Sequence, residues 1–281
     1  MPPRADAAPA CAALAGAARK LAAAGVASPA REARLLLAHA QGRDRLPDLA
    51  ASVPERFHQW VSRRCAREPL ALILGRQGFW TLELNVSRAT LIPRPDSETL
   101  IEAALAAVPD RARVKDVLDL GTGTGALLLA ALGEFSGAWG LGVDRSPEAC
   151  ALARDNAARA GLQNRSAFVC GDWGACLARK FDLVLVNPPY IRTADLPGLM
   201  PEVAAFEPAL ALNGGADGLA AYRALLPQLA HLLGERGLAV VEVGSGQAAD
   251  VERLAAASGL AACGRRADLA DIDRAVLLRA G

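Results

Sequence analysis

The spacing of apolar and polar positions changes along this chain, and the changes predict its organisation. Residues 9–25 and 28–42 repeat at the helical period. The second stretch puts Ala33, Leu36, Leu37 and Ala40 on one face, with Ser28 at the N-cap position and Pro29 at the first helical position. A third helix is predicted over 54–67, opening at Pro54 and burying Phe57, Trp60 and Val61. Residues 70–90 then alternate, with Leu72 and Leu74 followed by Phe79, Thr81 and Glu83 around Gly75 and Gly78, the pattern of a β-hairpin. Two prolines stiffen Leu91–Glu98 before a helix over about 96–107, for which Ser97 or Asp96 is the expected cap.

From Val114 the pattern becomes short apolar runs separated by helical ones. Strands are predicted at 114–120, 139–144, 166–171, 181–187, 237–243, 259–264 and 274–279, with helices over 126–135, from Ser146-Pro147-Glu148 onward, and near 217–233. Strands alternating with helices over some 170 residues predict an α/β fold with a doubly wound, mostly parallel sheet. The organisation expected is a small helical domain over 1–69, a hairpin connector over 70–90 and an α/β domain over 91–281. Three short helices hold too little core for chemistry of their own, so the first piece is expected to be a docking module or lid.

Composition narrows the function classes. In 281 residues, 31 Lys+Arg stand against 30 Asp+Glu, so the whole chain lacks the basic field that grips nucleic acid. Residues 1–90 are mildly basic, with 13 Lys+Arg against 7 Asp+Glu, and the remainder mildly acidic, with 18 against 23. The front piece therefore suits an acidic partner. Six scattered cysteines form no Cys-x-x-Cys pair, and Cys170 and Cys176 flank a loop with no histidine near, so neither a disulfide framework nor a metal site is expected. His39 and His58 stand isolated and receive no role. Arg19-Lys20 interrupts the alanine-rich amino terminus, and no apolar run approaches the roughly 18–20 residues that span a bilayer, so a cytoplasmic protein with no membrane partner is expected.

The candidate chemistry lies at strand ends. Gly121-Thr122-Gly123-Thr124-Gly125 follows the first strand of the α/β piece, and Asp144 closes the second. Small residues let backbone approach a ligand, and a carboxylate there accepts hydrogen bonds from ribose hydroxyls. Taken alone, this loop fits a nicotinamide dinucleotide as well as S-adenosylmethionine. Asp172-Trp173 after the third strand adds a polar group and an aromatic face for an adenine. Asn187-Pro188-Pro189-Tyr190 after the fourth offers carbonyls but few N–H donors, since each proline lacks one. Such a turn suits a planar NH2 group held by the Asn187 side-chain oxygen and a proline carbonyl and covered by Tyr190. Hydride transfer has no use for either feature.

In that order these motifs resemble a class I, Rossmann-like S-adenosylmethionine-dependent methyltransferase acting on planar nitrogen. The flanking segments are narrower: Arg67-Glu-Pro-Leu70, Gly78-Phe-Trp80, Thr90-Leu-Ile-Pro-Arg-Pro-Asp96 with Glu98, Glu202-Val203, Phe206-Glu-Pro208 and Gly214-Gly215 with Asp217-Gly-Leu219 are similar to the HemK/PrmC family of peptide chain release factor N5-glutamine methyltransferases. The resemblance covers about residues 30–281. It implies that Gly121 to Gly125 line the cofactor, Asp144 holds its ribose, and Trp173 and Asp172 meet its adenine. Asn187, Pro188, Pro189 and Tyr190 hold the substrate glutamine, with Asn187, Pro188 and Tyr190 serving the methyl transfer. It implies class 1 release factors as protein substrate, no stable nucleic-acid partner and a monomer. The rivals are a nucleic-acid amino methyltransferase, a ribosomal-protein glutamine methyltransferase and a non-catalytic binder of the cofactor. Two departures from the family pattern are Ala204-Ala205 before Phe206-Glu-Pro208 and Asn213 where Asp is frequent.

Overall fold

A computed structural model describes residues 8–175 and 177–281; Cys176 and the first seven residues lie outside the described part. The described residues form two compact units, one running up to residue 75 and taking in 200–206, the other holding the rest of 76–199 and 207–281.

The first unit contains α1 (Ala8–Ala23), α2 (Pro29–Ala40), α3 (Glu55–Cys65) and α4 (Leu70–Leu74). Their apolar faces meet around Leu21, Leu36, Leu37, Phe57 and Ile73. Ser28 stands at the N-cap of α2, but its side chain makes no capping bond; Pro29 presets the first turn instead. The alternation of Leu72 and Leu74 predicted a strand, whereas 70–74 is a short helix stopped by Gly75 in the left-handed region at φ +74°. A five-residue apolar run carries no period long enough to separate the two.

A late segment, Met200–Phe206, belongs to this unit although it lies far along the chain. Glu202 accepts from Arg64 Nη2 (3.0 Å) and Arg67 Nη2 (2.7 Å). Arg64 is only 5% exposed, and its Nε donates to Glu32 at 2.6 Å, so the guanidinium sits between two carboxylates. Arg67 adds bonds to the carbonyls of Ala24 and Gly25. Buried charge is tolerated where every donor is matched, and this cluster nearly achieves that.

The second unit opens with the antiparallel hairpin β1 (Arg76–Phe79) and β2 (Leu82–Asn85), shorter than the predicted 70–90. Then come α5 (Glu98–Ala107), β3 (Asp116–Leu120), α6 (Ala126–Glu134), β4 (Trp139–Asp144), α7 (Pro147–Arg159), β5 (Ser166–Cys170) and β6 (Phe181–Val186). After α8 (Pro201–Phe206), which is the late segment of the first unit, follow α9 (Ala220–Leu232), β7 (Leu233–Glu242), α10 (Ala248–Ala257), β8 (Leu260–Ala267) and β9 (Asp273–Ala280). The seven strands lie in the order β5-β4-β3-β6-β7-β9-β8, with β9 antiparallel to both neighbours and the other pairings parallel.

Both faces of the sheet are buried at its central strands β3, β6 and β7, while the edge strands β5 and β8 are largely exposed. One cluster gathers Leu128, Leu129, Phe135 and Leu185, the other Leu118, Val184, Tyr222 and Leu226. This explains the unbroken apolar runs of the central strands. From β3 the chain steps outward to β4 and β5, then returns to lay β6 on the other side of β3. The carboxyl ends of β3 and β6 therefore flank a topological switch point, where α/β sheets bind ligands. No helix among the described residues is long and apolar enough to cross a membrane.

Candidate active site

At the switch point a cavity of about 520 Å³ opens, within the size range of small-molecule sites. Gly121, Thr122, Gly123, Thr124, Asp144, Asp172, Trp173, Asn187 and Pro189 all line it. Of the residues singled out in the sequence, Gly125, Pro188 and Tyr190 lie outside the lining.

The glycine turn is built from positive-φ backbone: Gly121, Gly123 and Gly125 sit at φ +75°, +54° and +82°. Residues with a Cβ rarely adopt these angles. The Gly121 and Thr122 amides both donate to the Val143 carbonyl, at 2.8 and 2.9 Å. A Cβ on Gly125 would meet Ala153 and Leu129 at 3.2 and 3.3 Å, so that glycine serves the packing of α6 and α7. Thr122 Oγ1 donates to Asp119 Oδ2 at 2.6 Å beneath the turn. Asp119 is 1% exposed, and its Oδ1 has no hydrogen-bond partner of normal geometry among the described residues. Burial pushes its carboxyl up to about 7, opposed by the Thr122 hydroxyl and the Leu128 amide.

Asp144 braces the turn from the next strand. Its Oδ2 accepts from the Gly123 amide at 2.8 Å and its Oδ1 from the Ser146 amide at 2.9 Å. A carboxylate has about four lone-pair sites, so two remain for ligand hydroxyls. Trp173 is held in the left-handed region at φ +52°, a conformation that costs on the order of 1–3 kcal/mol and gathers at functional sites. Its ring lies over Gly121; a Cβ there would stand 3.4 Å from the Trp173 ring. The Gly174 amide donating to Gln228 Oε1 at 2.9 Å anchors the turn. Thr90 also lines the cavity, and its buried Oγ1 has no hydrogen-bond partner among the described residues. A diol acceptor, a flat ring over bare backbone and an unmatched hydroxyl together fit a nucleoside-bearing cofactor.

Residues 187–190 follow β6 directly. Asn187 Nδ2 donates to Ser97 Oγ at 3.0 Å, and Oδ1 has no hydrogen bond among the described residues. Ser97 was expected to cap the helix after it, but its side chain makes no capping bond; the hydroxyl serves Asn187 instead. Tyr190 Oη donates to Glu242 Oε1 at 3.2 Å, at the end of β7. Burial raises the Tyr190 phenol well above its ordinary value, and the nearby Glu242 charge adds to this. The backbone of Tyr190 is tightly enclosed. Gln247 Nε2 donates to its carbonyl at 3.1 Å, and a Cβ on Gly214 or Gly218 would come within 2.8 Å of its Cα or 2.5 Å of its carbonyl oxygen.

Other motif residues act as struts. Glu207 accepts from the Ile92 amide at 3.1 Å and pairs with Arg94, fixing a segment that borders the cavity. Asn213 Oδ1 accepts from Thr193 Oγ1 (2.8 Å) and the Gly215 amide (2.9 Å), work that needs only an acceptor and that Asn does as well as Asp. Ala204 and Ala205 lie exposed on α8. Sequence reasoning missed Ser97 as a partner of Asn187, and it missed Glu242 and Gln247. The available signal for Glu242 was a carboxylate closing an apolar strand, as Asp119 and Asp144 nearly close theirs.

Comparison with known proteins places the chain in a family. Residues 12–75 match the PrmC N-terminal domain family and residues 113–223 the methyltransferase domain family. A methyltransferase of Pyrococcus furiosus superposes with a TM-score of 0.50 at 15% identity, covering 70% of this chain and 88% of its own, which speaks for the fold alone. The release factor glutamine methyltransferase of Rhodospirillum rubrum is 45% identical over 92% of this chain and 82% of its own length. That of Caulobacter vibrioides is 43% identical over 90% of each. Identity of that extent, running through both units, means that the chain belongs to the release factor glutamine methyltransferase family.

Proposed function

We propose that the chain transfers a methyl group from S-adenosylmethionine to the side-chain amide nitrogen of a glutamine, the one in the Gly-Gly-Gln motif of class 1 peptide chain release factors. The observation that carries this reading is the fixed Asn187 amide at the cavity edge: Nδ2 is committed to Ser97, so Oδ1 is the atom presented to a donor. An NH2 group is what such an acceptor selects.

When bound, S-adenosylmethionine supplies a methyl group already activated by its positive sulfur. What the chain must supply is alignment, because an amide nitrogen shares its lone pair with its carbonyl and is a poor nucleophile. Asp144 would hold the ribose hydroxyls, the Gly121–Thr124 backbone would border the cofactor, and Trp173 with Asp172 would meet the adenine. Asn187 Oδ1 and the Pro188 carbonyl would each accept one N–H of the substrate amide, fixing its nitrogen and stabilising positive charge that develops there. Pro189 and Tyr190 would close the pocket around the amide plane. The amide nitrogen gives up one of its two protons to solvent water after transfer. In this reading the protein acts as a cytoplasmic monomer with no stable nucleic-acid partner, and its helical unit docks the release factor.

The test is transfer of label from S-adenosylmethionine to purified release factor, with stripped RNA in a parallel reaction. Asn187→Ala should lower kcat by about 100-fold while leaving cofactor affinity within a fewfold of wild type. Labelled RNA in place of labelled protein, or near-normal kcat in the variant, would overturn the reading.

A further inference from the structure

The turn at 187–190 has little means of holding its own shape. Pro188 and Pro189 have no N–H, so only the Asn187 and Tyr190 amides can donate within it. A clamp that presents two acceptors at a fixed spacing must then be braced from outside. At its leading end, β6 runs in register with β3 and β7, and Asn187 Nδ2 donates to Ser97 Oγ at 3.0 Å. At its trailing end, Glu242 tethers the ring of Tyr190, and a residue at the start of α10 tethers its backbone.

That residue is Gln247, and its partners fix which way its amide faces. Nε2 donates to the Tyr190 carbonyl at 3.1 Å, and Oε1 accepts from the Gly244 amide at 3.0 Å. The flipped amide would set oxygen against oxygen and N–H against N–H. Gln247 is itself tied to the frame: its own amide donates to the Gly244 carbonyl at 3.0 Å, and its carbonyl accepts from Val251 in α10 at 3.0 Å. Bare backbone closes around the contact. A Cβ on Gly244 would meet Gln247 Oε1 at 2.7 Å and the Tyr190 ring at 3.0 Å, and one on Gly218 would lie 2.5 Å from both Nε2 and the carbonyl it serves. The next residue is held as well, since the Ile191 amide donates to the Leu212 carbonyl at 3.0 Å and its carbonyl accepts from Gly214 at 2.8 Å.

We propose that Gln247 is a positioning residue for the methyl transfer. By holding the Tyr190 carbonyl it fixes the trailing end of the turn, so that the Asn187 oxygen and the Pro188 carbonyl keep the spacing that the two N–H groups of one amide require. The inference rests on the reading that these two oxygens receive the substrate amide. Gln247 does not line the cavity, so its loss acts on the turn and not on the bound cofactor. A displacement of about 1 Å at a reacting group can cost on the order of 100-fold in rate, and a turn released at one end should lose a sizeable part of that.

The experiment measures methylation of release factor by wild type, Gln247→Glu, Gln247→Met and Asn187→Ala, with S-adenosylmethionine affinity by calorimetry and folding by circular dichroism alongside. Gln247→Glu keeps the acceptor for Gly244 but turns an oxygen toward the Tyr190 carbonyl; Gln247→Met fills the same space with neither donor nor acceptor. We expect each to lower kcat by about 10-fold or more, with KM for release factor and Kd for the cofactor within about threefold of wild type. That split marks a loss felt in the transition state, which a general loosening of the fold would not produce. With Asn187→Ala inactive, wild-type kcat in any folded Gln247 variant, or cofactor affinity that falls in step with kcat, overturns the role of Gln247 and leaves that of Asn187 standing. A fully active Asn187→Ala overturns the reading beneath it. Unfolding of both Gln247 variants would make Gln247 a structural residue and overturn the proposal; where one folds, its kcat decides.

Discussion

Asp144→Asn isolates what the second strand contributes to the cofactor site. In wild type each carboxylate oxygen accepts one backbone amide, from Gly123 at 2.8 Å and Ser146 at 2.9 Å, and keeps one lone pair for a ribose hydroxyl. Asparagine has one accepting oxygen. Whichever backbone amide it serves, its NH2 faces the other, so an N–H of the turn is left unmatched and only one ligand hydroxyl keeps an acceptor, now uncharged. Hydrogen bonds to charged groups contribute about 1.5–3 kcal/mol each. Losing one and weakening another is worth about 2–4 kcal/mol, or roughly 30- to 1000-fold in Kd. Titration calorimetry with S-adenosylmethionine at 25 °C reads this directly. Circular dichroism establishes that the variant is folded, and kcat at saturating cofactor should fall much less than affinity. A Kd within threefold of wild type would show that the carboxylate braces the turn without touching the ligand.

Two further expectations concern stability and turnover. The folded-state pKa of Asp119 is raised to about 7, so the stability it lends is fully present below its unfolded value and is lost as pH rises through 7. Melting temperature should fall from pH 5 to pH 8, and Asp119→Asn should flatten part of that fall, Glu242 supplying a second contribution of the same sign; an unchanged slope by calorimetry would exclude Asp119 as a source. Gly218→Ala puts a Cβ 2.5 Å from the Tyr190 carbonyl oxygen and from Gln247 Nε2 at φ +79°, with an expected cost of about 2–4 kcal/mol from strain and overpacking together. Urea unfolding measures that cost, and kcat should drop as Tyr190 shifts. A variant equal to wild type in both would contradict the close packing.

The sequence carried the parts whose causes are local. Central strands such as Leu183–Val186 are apolar throughout because both faces are covered, and Gly121, Gly123 and Gly125 stand where backbone must turn through positive φ. Ser146-Pro147 announced α7, and Ser146 Oγ does accept from the Ala149 amide at 3.1 Å. Leu70–Leu74 was too short to have a period, and the buried face of α10 is made of the small residues Ala248, Val251 and Ala255. Ser97 obeyed the local rule for a cap in the sequence but a long-range partner in the fold, 90 residues away. Glu242 stood out as a carboxylate closing an apolar strand, but its partner was illegible for the same reason: only the parallel pairing of β6 with β7 brings the end of one strand beside the turn that follows the other.

The route of the chain through Met200–Phe206 governs how this protein can be cut. Because Glu202 arrives from beyond β6 to neutralise Arg64 and Arg67, a fragment ending at Gly75 would retain two arginines, one of them almost wholly buried, stripped of a shared counter-charge. Breaking one side of a buried ion pair typically costs about 3–5 kcal/mol, a large share of the stability of so small a bundle. The helical unit is thus not a bead that recombination could pass intact to another enzyme by a single crossover, because its stability is written in two places in the gene.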